Sequence, residues 1–342
     1  MRFMIYGAYG YTGKLIAQHA KKMGYTPVLA GRSKAKVQQL AERLELPWQA
    51  FALDNHDDVV EALTDISLVI NCAGPFSATA PPMIQACISA RVHYLDITGE
   101  LDTFEYAHSQ HQQAKEAGIV LCPGVGFDVI PTDCVAARLN ALMPNAVSLK
   151  LGFDSRSSMS QGTAKTSVER LAIGGAVRED GVIKNVPLAY KAETIDFGDG
   201  EKYAMTIPWG DVATAYYTTE IPNIEVYIPA SPTLVKRLRR LNWFRWLLAF
   251  KPVQNWMKKK VEQQPAGPDE KQREKNPTYV WGEISNAKGE TETLRVKVKN
   301  GYTLTAYGAV DICQFVLHHT PEGGYYTPSR LYGAKLLDKY IV

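Results

Sequence analysis

The chain has 342 residues, of which 46% are hydrophobic and 21% charged, with a formal net charge of +3. This length exceeds one comfortable core, so two domains are expected, and the charge excess is too small to imply a nucleic acid partner. Its five cysteines, at positions 72, 87, 122, 134 and 313, form no CxxC pair and no metal-ligand spacing, so they read as reduced core thiols, with no metal site.

The first 130 or so residues alternate short apolar runs with helical patterns. Strands are predicted at Phe3 to Tyr6, Pro27 to Ala30, Gln49 to Leu53, Ser67 to Cys72, His93 to Ile97 and Ile119 to Cys122. Several lack apolar/polar alternation, the pattern of a parallel sheet covered on both faces. Helices are predicted between them at 13–23, 33–45, 56–64, 79–90 and 101–117. This βαβα order specifies an α/β fold with a Rossmann-type doubly wound parallel sheet over residues 1–130. A strand so near Met1, with no basic region, apolar core and cleavage site, argues against a secretory leader. No apolar run approaches the roughly 20 residues of a membrane span. A cytoplasmic location is the resulting expectation.

Beyond Pro131 the pattern becomes that of a second, α+β domain over 131–305. It reads as a helix at 132–142, a strand at Val147 to Phe153, a helix from Thr163 to Arg178, then antiparallel strands within 182–230 and again from Tyr279 to Ala306. The polar, breaker-rich stretch 263–277 reads as a surface loop. Helices at 306–319 and 328–340 close the chain, and residues 306–342 are placed back against the first domain.

Within this frame the run Gly7-Ala8-Tyr9-Gly10-Tyr11-Thr12-Gly13 falls where the first strand turns into the first helix. Small residues there permit a tight turn and close backbone approach, and the helix start offers N–H groups to a pyrophosphate. The spacing is GxxGxxG; Tyr9 to Thr12 form the loop over the phosphates, and Gly13 allows helix-strand packing. A site for NAD usually carries Asp or Glu at the end of the second strand. Here that position is Arg32, followed by Ser33 and, one helical turn on, Lys36. A guanidinium fork suits a 2'-phosphate, so the residues select NADP(H). Asp54 is placed either to contact adenine or to cap the next helix. Asn71, Ala73 and Gly74, after the fourth strand, lie where cofactor collects at strand ends.

These motifs, with LAGRS (29–33), NCAGPF (71–76), YLDITGE (94–100) and CPGVGFDVIPTD (122–133), resemble those of the saccharopine dehydrogenase-like oxidoreductases, most closely the trans-acting enoyl reductase branch. Looser similarity continues through SQGTAKTSVE (160–169), GGAVREDG (174–181), Gly267-Pro268 with Arg273, and YYTPSRLYGAKLL (325–337). The resemblance implies a Rossmann domain that binds NADP(H), followed by an α+β domain closing over the nicotinamide. It also implies hydride transfer to or from an enoyl C=C, imine or carbonyl group of a hydrophobic or carrier-bound acyl substrate.

Hydride chemistry needs a proton source beside the forming anion. Asp96 and Asp128 are the candidates at the ends of the fifth and sixth strands; Asp96, Thr98, Glu100, Asp128 and Asp133 can equally hold loops or cap helices. His93, Tyr94, Tyr325 and Tyr326 are further donors that packing also explains. None of the eighteen tyrosines has Lys four residues on, which disfavours the short-chain dehydrogenase pair. Finally, residues 234–260 carry nine Lys/Arg and no Asp/Glu among Leu, Trp and Phe. That composition suits peripheral contact with anionic lipid, an acyl-chain pocket or a solvated basic face. A homodimer is compatible with the sequence. The alternative to an enzyme is a catalytically silent NADP(H)-binding module that presents a membrane or protein interaction surface.

Overall fold

The computed structural model describes residues 2–157, 160–263 and 267–342. In chain order its first elements are β1 (Phe3–Tyr6), α1 (Tyr11–Lys22), β2 (Val28–Gly31), α2 (Lys34–Leu44), β3 (Trp48–Ala50), α3 (His56–Ala62), β4 (Leu68–Asn71), α4 (Phe76–Ala90), β5 (His93–Asp96), α5 (Leu101–Ser109), α6 (His111–Ala117) and β6 (Val120–Cys122). There follow α7 (Ile130–Leu142), β7 (Ala146–Ser155), α8 (Gln161–Ile173), β8 (Gly175–Glu179), β9 (Val182–Val186), β10 (Ala192–Asp196), β11 (Glu201–Thr206), α9 (Asp211–Thr219) and β12 (Asn223–Pro229). The remainder comprises α10 (Pro232–Leu241), a 3-10 segment (Asn242–Ala249), α11 (Lys251–Glu262), α12 (Glu270–Lys275), β13 (Thr278–Asn286), β14 (Thr291–Val298), α13 (Gly301–His319), β15 (Gly324–Tyr325), α14 (Pro328–Tyr332) and a 3-10 turn (Ala334–Lys339).

Two compact units result: Met1–Ile130 with Tyr302–Gly333, and Pro131–Gly301 with Ala334–Val342. The first is a seven-stranded, wholly parallel sheet in the order β15-β6-β5-β4-β1-β2-β3. Every residue of β1, β2 and β4 is buried, which is why those strands show no alternation. Strand order reverses between β1 and β4, and a crevice at such a switch point is where parallel sheets bind ligands.

The second unit is an eight-stranded mixed sheet, β10-β11-β12-β7-β13-β14, with β8 and β9 branching from β12. Its core includes Phe197, Ala204, Tyr227 and Trp281. The two long strands β7 and β13 pair antiparallel along Ser148 to Ser155, joined by a register shift at Ser285/Asn286.

Several predicted bounds change. The first helix begins at Tyr11 rather than Gly13, with Gly10 as its N-cap. The helix expected from Thr163 to Arg178 stops at Ile173, because Gly174 takes φ +107°, open to glycine alone, and the chain turns into β8. The predicted 101–117 helix is two, broken at Gln110. The 182–230 region contains a helix, α9, and its strand β12 runs parallel to β7. Within the expected loop 263–277, Asp269 and Gln272 form a capping box that starts α12; Gln264 to Ala266 lie outside the described residues.

Candidate functional site

The loop after β1 is shaped by close approach. Gly7 has φ +76°, and a Cβ there would fall 2.8 Å from the Ala73 nitrogen and 2.9 Å from the Cys72 carbonyl carbon, so the ends of β1 and β4 touch through bare backbone. A Cβ on Gly13 would fall 2.5 Å from the Gly7 oxygen. The N–H groups of Gly7 and Ala8 both donate to the Ala30 carbonyl, at 2.8 and 3.1 Å, and Gly10 N–H to Gly7 O at 3.0 Å. Gly10 caps α1 with extended backbone and no side-chain acceptor. Tyr11 and Thr12 therefore open the helix, whose first-turn N–H groups have no intrahelical acceptors. No acidic side chain lies in that turn to compete with an anion.

At the end of β2 the Tyr9 ring covers Gly31: a Cβ on that glycine would lie 2.7 Å from Tyr9 Cε1. Lys36 Nζ sits over the same ring, 5.7 Å from its centroid. Arg32 is exposed and Ser33, the N-cap of α2, is half-buried. The Tyr6 hydroxyl donates to Phe51 O at 3.2 Å. Burial pushes that hydroxyl up to about 12, with Tyr9, Arg32 and Asp54 all close enough to act on it electrostatically. Tyr9, Arg32 and Asp54 thus belong to the electrostatic surroundings of the Tyr6 hydroxyl. Asp54 is exposed, and the cap of α3 is its neighbour Asn55, whose side chain accepts from Asp57 N–H at 3.0 Å. Capping therefore does not account for Asp54.

The ends of β4, β5 and β6 are tied by a buried polar network. Asn71 is fully buried; its Oδ1 accepts from Ala73 N–H at 3.0 Å, and its Nδ2 lies 3.3 Å from both Thr79 Oγ1 and the Tyr94 hydroxyl. Tyr94 donates to Asp96 Oδ2 at 2.7 Å. Asp96 Oδ1 accepts from the N–H groups of Thr98 and Gly124, each at 2.9 Å. Both oxygens of Asp96 are thereby engaged, and burial raises the acid to about 6 despite those donors. Thr98 Oγ1 accepts from Glu100 N–H at 3.0 Å. Glu100 reaches away from its own helix: its carboxylate accepts from Phe76 N–H at 2.9 Å and Ser77 N–H at 2.8 Å, capping the start of α4. Gly74 is exposed beside this cap.

Asp128 lies on the loop after β6. Its carboxylate packs over Gly99, where a Cβ would meet Oδ2 at 2.8 Å, and it keeps part of its surface open to solvent. Burial of the rest raises it to about 7. The 123–129 loop that carries it is pinned from α13, since Phe127 N–H donates to Thr305 Oγ1 at 2.9 Å.

Of the other donors named from sequence, Tyr94 is buried with its pKa raised well above 10 by burial and by Asp96. His93 Nδ1 accepts from Val120 N–H at 3.0 Å, and burial lowers its pKa. Tyr325 pairs with β6 in the sheet, and the Tyr326 hydroxyl donates to Glu322 O at 3.0 Å. Thr79, Glu100 as the cap of α4, and Thr305 were missed as site-shaping residues. Each acts on a segment 6 to 178 residues away in sequence, so no local pattern marks it.

This geometry agrees with the comparisons to known proteins. Residues 3–122 match the family model of the saccharopine dehydrogenase NADP binding domain. The matched residues carry β1 to β6 of the N-terminal unit. NADP(H) is accordingly its coenzyme class, and the preformed glycine cradle and uncontested helix start fit a dinucleotide pyrophosphate. A probable mitochondrial saccharopine dehydrogenase-like oxidoreductase of Arabidopsis thaliana is 29% identical over 201 residues, 52% of this chain and 44% of that protein. A trans-acting enoyl reductase of Mycobacterium bovis is 32% identical over 138 residues, 38% of this chain and 33% of that protein. These matches thus span less than half the length of the curated relatives. Apo saccharopine dehydrogenase (L-Glu forming) from Saccharomyces cerevisiae shares the fold, with a TM-score of 0.65 at 13% identity, covering 100% of this chain and 98% of that one.

Proposed function

We propose that the protein is an NADP(H)-dependent oxidoreductase acting on a polarised double bond, an enoyl C=C, imine or carbonyl, in a hydrophobic or carrier-bound substrate. The observation that carries this reading is the pairing of the Gly7–Gly13 cradle with Arg32 where an NAD site would place a carboxylate. The N–H groups at the start of α1 hold the pyrophosphate, and Arg32, Ser33 and Lys36 receive the 2'-phosphate. Asp54 faces the adenosine side, while Ala73 and Gly74 line the nicotinamide side and buried Asn71 positions Ala73 through its N–H.

The bound coenzyme supplies or accepts a hydride. Asp128, partly open and raised to about 7, holds a proton near neutral pH and delivers it to the anion formed on reduction. Asp96 is a positioning residue: its two oxygens fix Tyr94, Thr98 and Gly124, and so the loops on which Gly99 and Asp128 sit. The mycobacterial relative named for enoyl reduction supports the acyl substrate class.

The test is NADPH oxidation by the purified chain across enoyl thioesters, cyclic imines and ketones. Turnover with at least one class is expected. Tight NADPH binding without turnover of any would instead favour the coenzyme as a structural ligand.

A further inference from the structure

The second unit carries a surface that the proposed chemistry does not use. Along α10, the 3-10 segment and α11, large apolar side chains point away from the protein: Trp243 is 83% exposed, Trp246 62%, Phe244 60%, Trp256 57% and Phe250 53%. Facing inward, Val235 is buried and Leu238 packs with it beside Ala189 and Met205, and polar groups reinforce that anchor. Asn242 clasps the backbone of Leu188 in both directions, accepting from its N–H at 2.9 Å and donating to its carbonyl at 3.1 Å. Arg239 Nε donates to Ala189 O at 2.9 Å, and the Arg245 guanidinium occupies the space a Cβ on Gly174 would need. A water-facing segment normally keeps rings of this size against the core. Here a small apolar contact and these hydrogen bonds hold the segment, while its aromatic rings remain outside.

The charge around those rings is of one sign. Residues 234–260 include nine Lys/Arg and no Asp/Glu, and Lys236, Arg237, Arg240, Lys251, Lys259 and Lys260 are all exposed. Lys260 Nζ lies 4.0 Å from the centroid of the Trp256 ring, so an indole and its neighbouring cation are presented together. Rings with one apolar body and one polar edge, rimmed by cations, match the boundary between acyl chains and anionic headgroups. A symmetric pairing with a second copy would bring this dense positive patch against itself. Among the described residues no helix is long and apolar enough to cross a membrane, so the contact would lie on the surface.

We propose that this face docks on an anionic lipid bilayer, with Trp243, Phe244, Trp246 and Phe250 entering the interfacial region and the flanking cations contacting headgroups. The proposal is independent of the hydride-transfer reading, because vesicle binding is measured without coenzyme or substrate.

Flotation of the full chain with vesicles of phosphatidylcholine alone, and of phosphatidylcholine with phosphatidylglycerol, tests it. Two variants accompany the wild type: W243S/W246S/F250S and K236E/R237E/R240E. All six positions are exposed or at the surface of short helices, and circular dichroism with NADPH titration reports whether the fold and the first unit are retained. The wild type is expected to float with the anionic vesicles and not the neutral ones. Binding should weaken as salt rises; the aromatic variant should lose roughly 100-fold in apparent affinity, and the charge-reversal variant more than roughly 100-fold, since three cations alone account for about that much. Absence of flotation with anionic vesicles overturns the proposal. So does equal binding by the aromatic variant, which would indicate a general polyanion or nucleic acid surface. Concentration-dependent self-association that the aromatic variant abolishes, with no vesicle binding, would assign the face to a second copy of the chain.

Discussion

Replacing Arg32 by Ala isolates the contribution of the guanidinium to coenzyme choice. Arg32 is exposed at the end of β2, with Ser33 at the N-cap position of the helix that follows but making no side-chain cap. A unit charge pair at 4 Å in water is worth about 1 kcal/mol, and a 2'-phosphate carries close to two charges, giving about 2 kcal/mol. Charge-assisted hydrogen bonds give a similar range of about 1.5–3 kcal/mol, and exposure favours its lower half. A loss of about 2 kcal/mol corresponds to roughly 30-fold in NADPH affinity. NADH lacks the phosphate and should lose less than about twofold. Isothermal titration of both coenzymes into wild type and variant reads this difference directly. It should shrink as ionic strength rises, since the Debye length falls to about 3 Å at 1 M salt. Equal losses for NADPH and NADH would refute the assignment of Arg32 to the 2'-phosphate.

Gly7→Ala combines the left-handed φ of +76° with backbone contacts at 2.8–2.9 Å, so it should cost upwards of about 2 kcal/mol and abolish NADPH binding. Gly24→Ala, at φ +84° with nothing within 4 Å, carries only the conformational part, about 1 kcal/mol, and serves as its control in urea denaturation. Glu100→Gln weakens the cap on Phe76 and Ser77 and should lower stability by roughly 1–2 kcal/mol in the same assay; an unchanged midpoint would mean the carboxylate adds nothing there. Asp128 is protonated below about pH 7, so proton donation should decline as pH rises through that value. Asp128→Asn should remove this limb from the kcat profile and lower kcat by about 100-fold or more with NADPH affinity intact; a variant with wild-type kcat and pH profile would exclude Asp128 as the donor.

Much of the first unit was legible because its signals are local. Buried parallel strands write continuous apolar runs, and the glycines at 7, 10 and 13 mark a turn whose tightness the backbone contacts of Gly7 explain. The position of Arg32 just past β2 was equally legible, since the second strand end is fixed by counting from the glycine turn. The long-range parts were not. Glu100 sits where it would cap its own helix, yet it caps α4, the helix after the neighbouring strand β4, and Thr305 holds the Asp128 loop from α13. In the second unit the strand-like residues of 182–230 concealed α9. The parallel pairing of β12 with β7 joins segments more than seventy residues apart, a relation no periodicity records.

The proposed reaction moves a hydride between NADP(H) and a polarised double bond. Its most direct test incubates the protein with NADPH deuterated at the transferable position and the enoyl, imine and carbonyl panel, followed by mass spectrometry of the products. One deuterium on carbon of a reduced product, formed in step with NADPH oxidation, is the predicted result. Bound, intact NADPH with no labelled product from any substrate class would contradict it.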